Sequence, residues 1–270
     1  MGNIKVNCVA LTEDKLLGGR VRFCQPASGY RVAIDPVLLA SAVPAVSGSR
    51  VLDLGTGVGA AAICLAVRVA DCQIDAVELQ PEFADIAADN VKRNSLNGRL
   101  SLHVCDVMSL PSAFSHSFDH VMANPPYLPA SRAAPPSRHD LSKVECSAGL
   151  ADWVAAASNA LRLKGSLTFI HRADRLDELL ALVRDVAGEI IVAPLWSHPG
   201  KVARRVLVRA RKGVSTPLRL VPGLTLYDND GGYTAAAESI LRGGAPFAFN
   251  SECSYPDACG DPVGDGWTAS

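Results

Sequence analysis

Apolar positions fall along the chain in short blocks that keep two different rhythms. Residues 50–54, 73–78 and 100–104 read as strands, and between them 59–70 and 81–94 carry helical spacing. Such alternation predicts a parallel sheet joined by right-handed crossovers. The run Phe118, Val121, Met122 and Ala123 reads as a further short buried strand. It must end at Pro125 and Pro126, because consecutive prolines cannot continue a ladder. Beyond it, 150–163 is an amphipathic helix with Trp153 in the core, 165–171 a strand, 174–187 a helix and 189–194 the sixth strand. Residues 202–211 and 220–226 are strand-like, and 234–241 form a last helix.

This pattern divides the chain. Residues 1–45 are expected to form an N-terminal arm and cap, with a hairpin or extended arm up to residue 24. The α/β core occupies 46–213 and a strand and helix extend it over 214–242. Residues 243–270, rich in Gly, Pro, Ser and acids, are expected to be a disordered tail. Asp35 before Pro36 reads as an N-cap with proline in the first turn, the rival role being to help cover a bound cofactor.

A chain of 270 residues with 49% apolar residues can fill a full core. No uncharged apolar run reaches the ~18 residues that span a bilayer, and residues 1–20 lack a signal-peptide core. No membrane partner is therefore expected, and the cytoplasm is the expected location. The eight cysteines include no Cys-x-x-Cys pair and read as reduced, mostly buried thiols, so neither a metal site nor a disulfide frame is expected. The net charge of -1 conceals an asymmetry: the tail carries four acids and no base, leaving 26 bases against 23 acids, or +3, in residues 1–242.

Candidate chemistry begins at the proline-terminated strand. Asn124-Pro125-Pro126-Tyr127 stands at a carboxyl end, where open α/β sheets bind ligands. Two prolines stiffen the corner, so Asn124 Oδ1 and the Pro125 carbonyl form a preorganised pair of acceptors. Such a pair suits a planar amino group, whose delocalised lone pair would be localised by two accepted hydrogen bonds. Tyr127 would add a face for a base. Upstream, Asp53-Leu54-Gly55-Thr56-Gly57-Val58-Gly59 is a glycine-rich bend between strand and helix. Glu78 closes the second strand, where an acid can hold ribose hydroxyls, and Asp106 follows the third. Asp53 in that turn suits a cationic, phosphate-free cofactor better than NAD.

Two stretches point to a substrate. Residues 128–147 hold Arg132, Arg138, His139 and Lys143, and form either a functional lid or a solvated loop. Residues 201–219 carry seven bases and no acid, which reads either as a phosphate-binding footprint or as a solubilising edge strand. Tyr30 and Arg31 near the pocket entrance, Arg132 and Arg138 in the loop, and Lys201, Arg204 and Arg205 in the basic segment are the candidate substrate-binding residues. His171 at a strand end reads as a satisfied structural histidine or, less simply, a catalytic one.

Together, the glycine turn with Asp53, the acids Glu78 and Asp106, and Asn124-Pro125-Pro126-Tyr127 resemble the S-adenosylmethionine-dependent amino-methyltransferases with a Rossmann-like core. The resemblance implies a class I α/β fold, a seven-stranded, mostly parallel sheet whose last strand, 202–211, is antiparallel. S-adenosylmethionine is the implied cofactor, with the glycine turn toward its methionine part, Glu78 on ribose and Asp106 near adenine. Residues 20–242 more narrowly resemble the bacterial tRNA valine adenine-37 N6-methyltransferase group, through Gln25-Pro26, Gly29-Tyr30-Arg31, Asp35 to Leu38-Leu39-Ala40, Ser142-Lys143, residues 167–176 and Tyr233-Thr234. Pro36 and Thr56 depart from that pattern, and the acidic tail lies outside it.

That resemblance implies attack by an adenine N6 in a tRNA anticodon loop, where a base is splayed out at little cost. Asn124, Pro125, Pro126 and Tyr127 are then the catalytic residues, acting by positioning. A protein glutamine N5-methyltransferase could use the same tetrapeptide, and a catalytically silent RNA-binding protein could keep the fold. Pyrimidine C5 methylation would need a Pro-Cys step, which the sequence lacks.

Overall fold

The computed structural model describes residues 10–28, 31–129, 144–145 and 148–249. It opens with the expected hairpin: β1 (Leu11–Leu16) pairs antiparallel with β2 (Val21–Pro26). Gly18 makes the reversal at φ 64°. Helix α1 (Asp35–Ala42) is apolar all round and buried along seven of its eight residues, as an internal helix should be.

Alternation then follows the predicted rhythm through β3 (Arg50–Leu54), α2 (Ala60–Arg68), β4 (Gln73–Glu78), α3 (Pro81–Arg93) and β5 (Leu100–Val104). Helix α3 shows why its ends fall where they do: Pro81 and Glu82 sit in its first turn, and Lys92 and Arg93 complement the dipole in its last. Strand β6 (Phe118–Ala123) stops at the proline motif. A short parallel pair, β7 (Leu128–Pro129) and β8 (Val144–Glu145), precedes α4 (Leu150–Ala160) and β9 (Leu161–Arg172). The chain continues through α5 (Leu176–Arg184), β10 (Ala187–Trp196), β11 (Arg205–Lys212), β12 (Arg219–Leu220), β13 (Leu224–Thr225) and α6 (Ala235–Leu241).

The main sheet runs β12-β10-β11-β9-β6-β3-β4-β5, with β13 also on β10. Strands β3, β4, β5, β6 and β9 are mutually parallel, whereas β11 is antiparallel to both β9 and β10. The seven-stranded expectation with one antiparallel strand therefore holds, and β12 and β13 add a fringe beyond β10. The single strand expected over 220–226 is instead split at Pro222-Gly223. Gly223 sits at φ 80° with its missing Cβ 1.9 Å from the Pro194 carbonyl oxygen, so the chain bends tightly over β10 there.

Both faces of the sheet are covered, which is why its strands read as nearly continuous apolar runs. Val51, Ile74, Met122 and Leu207 face a core shared with α1 and α2. Leu52, Val77, Val121 and Val208 face a second core under α4 and α5. Cys24, Cys64 and Cys72 are buried free thiols, and burial pushes Cys64 up to about 12. Among the described residues, no helix is long and apolar enough to cross a membrane and no cluster could hold a metal ion.

One expectation fails. The first residues of the supposed disordered tail are packed: Phe247 and Phe249 are 7% and 2% exposed. The Phe247 N–H donates to the Ser41 carbonyl at 2.8 Å, and the Arg209 guanidinium lies 4.1 Å from the Phe249 ring centre. Composition averaged over 28 residues hid two aromatics spaced to bury together. Residues 250–270 lie outside the described residues. Phe249→Ala should therefore lower stability by about 3 kcal/mol, read by urea unfolding, and an unchanged midpoint would refute this packing.

Candidate active site

The strand order reverses between β3 and β6, and the crevice at their carboxyl ends is where the motifs converge. The chain leaves β3 through Gly55, Gly57 and Gly59 at φ 66°, 58° and 86°. At Gly55 the need is also steric, since a Cβ would lie 2.4 Å from Trp153 Cη2. Trp153, expected to be plain core, is thus the wall of the glycine turn. Its buried Nε1 has no hydrogen-bond partner among the described residues.

Asp53 is 2% exposed, and its Oδ2 accepts the Thr56 hydroxyl at 2.6 Å. Burial pushes its carboxyl up to about 7, with Thr56 pulling back and Glu78 pushing further. Glu78 is 6% exposed. Its two oxygens accept the Gly57 and Gln80 N–H groups, each at 2.9 Å, and burial raises it against those bonds. Asp106 is half-buried and accepts the Met108 N–H at 2.9 Å. Asp53, Gly55, Gly57, Glu78 and Asp106 line one cavity together with Asn124 and Pro126. Pro125 is buried beside it, and neither Pro125 nor Tyr127 is among the lining residues.

Tyr127 instead anchors the corner from behind. Its hydroxyl lies 2.7 Å from Asn124 Oδ1 and 2.8 Å from Asp35 Oδ2, so one proton serves two acceptors. Arg205 Nε donates to the same Asp35 oxygen at 3.1 Å, and its guanidinium sits 4.4 Å from the Tyr127 ring centre. Three expectations change accordingly. Asp35 is not an N-cap, because Ile34 holds that position and no side chain caps α1. Arg205 is not an open phosphate contact, being committed to Asp35 and Tyr127. Tyr127, with Arg205 over its ring and His171 edge-on to it, lies outside the cavity lining and braces the corner where a stacking face was expected.

The remaining candidates separate. Arg31 donates to Asp14 at 2.8 Å and to Thr12 at 3.0 Å, so it braces the hairpin and does not present an open cation. Lys201 and Arg204 are exposed on the turn between β10 and β11. Three further bases of the segment are occupied: Arg211 pairs with Glu189, Lys212 donates to the Ser158 and Leu161 carbonyls, and Arg209 covers Phe249. Tyr30, Arg132 and Arg138, and most of the 128–147 stretch, lie outside the described residues. His171 is fully buried, accepts the Arg172 N–H at 2.7 Å on Nδ1 and packs edge-on to Tyr127. Burial first, then the positive Arg175, push it down to about 4. It is a neutral packing residue, although its Nε2 has no hydrogen-bond partner among the described residues.

Gln25 lines the same cavity, although the sequence reading gave its side chain no role there. It is 2% exposed, donates to Asp14 at 2.8 Å and accepts the Val32 N–H at 2.7 Å, pinning the segment before α1. An isolated glutamine carries no local pattern, and only its position before Pro26 marks it.

A family model described as methyltransferase small domain matches residues 28–184. A tRNA1(Val) (adenine(37)-N6)-methyltransferase of Actinobacillus succinogenes is 30% identical over 216 residues, covering 78% of this chain and 89% of the relative. The protein of that name from Haemophilus influenzae strain PittEE is 28% identical over 222 residues, covering 81% and 92%. Among solved structures, a predicted O-methyltransferase from Agrobacterium tumefaciens superposes with a TM-score of 0.68 at 26% identity, over 79% of this chain and 98% of its own. A tRNA (m1A58) methyltransferase from Aquifex aeolicus shares the fold, with a TM-score of 0.52 at 18% identity over 71% of this chain and 73% of its own.

Asp53 generates a pH prediction. Its folded value of about 7 lies above the ordinary 3.8, so the folded protein keeps a proton that the unfolded chain has already released. That contribution to stability is complete below about pH 4 and is lost as pH rises through about 7. Asp53→Asn should flatten the ligand-free stability profile between pH 5 and 7 by up to about 1.4 kcal/mol per pH unit. Parallel profiles in urea unfolding would show that Asp53 ionises normally.

Proposed function

The chain belongs to the methyltransferase small-domain family and is an S-adenosylmethionine-dependent N-methyltransferase, and we propose that its acceptor is the exocyclic N6 of an adenine at position 37 of a tRNA. The cavity's donor set fits the cofactor. Two buried carboxylates sit beside a glycine turn, both held above the ordinary carboxylate range, an environment that a cationic ligand would relieve. When bound, S-adenosylmethionine supplies an electrophilic methyl group carried on positive sulfur.

The chain's own residues do the rest by positioning. In this reading Glu78, with both oxygens already oriented by backbone N–H groups, accepts ribose hydroxyls, and Asp106 accepts from an adenine amino group. Asn124 Oδ1 has one lone pair directed to the Tyr127 hydroxyl and a second for an N–H of the incoming amine. The Pro125 carbonyl is the second acceptor in this reading. Accepting both hydrogens localises the amine lone pair toward the cavity, and the proton becomes acidic only as the new bond forms. No nearby side chain needs to act as base, since His171 is sealed in the core. Catalysis is then orientation and fixed dipoles.

The observation that carries this reading is Asn124, which lines the cavity together with the three carboxylates while its Oδ1 is held by the Tyr127 hydroxyl. Support for tRNA adenine comes from relatives bearing that name, whose own lengths this chain spans by about nine-tenths. The test is mass spectrometry of nucleosides from cells lacking the protein, with N6-methyladenosine expected to vanish from one tRNA position. Unchanged nucleosides with a deficit of methylated protein glutamine would move the acceptor to an amide.

In vitro, Asn124→Ala should lower kcat by about a hundredfold or more. Calorimetric cofactor affinity should stay within about threefold, because the cofactor acids are untouched. A rate near wild type would remove Asn124 from the chemistry.

A further inference from the structure

A second constellation stands at the same rim of the sheet. Strand β10 runs in the direction of β9, so the turn that follows Trp196 emerges at the carboxyl ends, alongside Asn124 and Glu78. There His198, Tyr227 and Tyr233 form a continuous stack, with ring centres 5.3 and 5.0 Å apart and interplanar angles of 25° and 18°. Backbone bonds hold it in place. Tyr227 N–H donates to the Ser197 carbonyl at 3.0 Å, Leu226 N–H to Trp196 at 2.8 Å, and Tyr227 bridges to Tyr233.

Tyr227 and Tyr233 are half-buried, whereas His198 is exposed, with Tyr227 on one face and no second ring stacked on it among the described residues. Around it, Ser197, Lys201, Val202 and Arg204 line a small pocket, and residues 197–204 contain no acid. Lys201 and Arg204 form no ion pair among the described residues. Asp228, on the neighbouring turn, spends its Oδ1 on the N–H groups of Asp230 and Gly232. The next residue after Arg204 is Arg205, locked to Asp35 and Tyr127, so the turn is tied directly to the reactive corner.

An exposed, stacked ring flanked by two cations with no ion pair among the described residues is the arrangement that holds single-stranded nucleic acid, rings taking bases and cations taking phosphates. We propose that His198 is a stacking platform for a nucleobase flanking the methylated adenine, with Lys201 and Arg204 on the adjoining phosphates. The proposal rests on the RNA reading above and adds to it the surface that presents the strand.

The test is steady-state methylation of an unmodified tRNA1(Val) transcript, the substrate named for the relatives. His198→Ala should raise KM for the transcript about tenfold at unchanged kcat and melting temperature. His198→Trp, which keeps a ring and loses any charge, should stay within about twofold of wild type. Replacing the flanking nucleotides by abasic ones should abolish the difference between wild type and His198→Ala. Lys201→Ala with Arg204→Ala should raise KM and make it less salt-dependent.

An unchanged KM in His198→Ala, a loss in His198→Trp as large as in the alanine variant, or a deficit that persists on the abasic transcript would each overturn the proposal while leaving the RNA reading intact. A wild-type dimer that dissociates in His198→Ala at unchanged KM would assign this face to a second copy and also overturn it. Wild-type protein that methylates no RNA would remove both the platform and the reading beneath it.

Discussion

A single phenolic proton sits at the centre of this molecule. Tyr127 offers it to Asn124 on one side and Asp35 on the other, and Arg205 closes the arrangement from above. These groups come from the end of β6, the start of α1 and the start of β11, so the bonds join three parts of the chain far apart in sequence. The Asn124 amide is therefore oriented by tertiary structure and not by the proline turn alone. Prolines restrict the backbone, but a side-chain torsion needs a partner.

The same division explains the carboxylates. Asp53 and Glu78 are buried by the sheet and the glycine turn, yet each is given hydrogen-bond donors: a hydroxyl for Asp53 and backbone N–H groups for Glu78. Burial, with no compensating cation among the described residues, raises both, which makes the cavity a poor host for phosphates and a good one for positive charge. Folding thus stores an electrostatic mismatch that a ligand of the right sign relieves.

Much of this was legible in the sequence because it is local. Strand and helix periods, the glycine bend and the proline-stopped strand each depend on a few neighbouring residues, and the elements appear within a few positions of where the pattern puts them. What was not legible depends on distant partners. Asp35 before Pro36 has the local look of a cap, but the tertiary partners Tyr127 and Arg205 outcompete the helix end. The seven cations of 201–219 look alike in sequence, yet strand alternation and partners such as Glu189 and the Ser158 carbonyl use up several of them. Trp153 is buried as expected, but only the three-dimensional contact with Gly55 reveals that it shapes the cavity.

Helix α1 is gripped at both ends. Its first residue is held by Tyr127 and Arg205, while further along the Ala40 and Ser41 carbonyls accept from Arg68 and Phe247. Phe247 belongs to the segment that follows the last helix, so that segment is hydrogen-bonded to the helix whose Pro36 and Leu39 line the cavity. Loss of residues 244–249 would therefore take a hydrogen bond from α1 as well as two rings from the core.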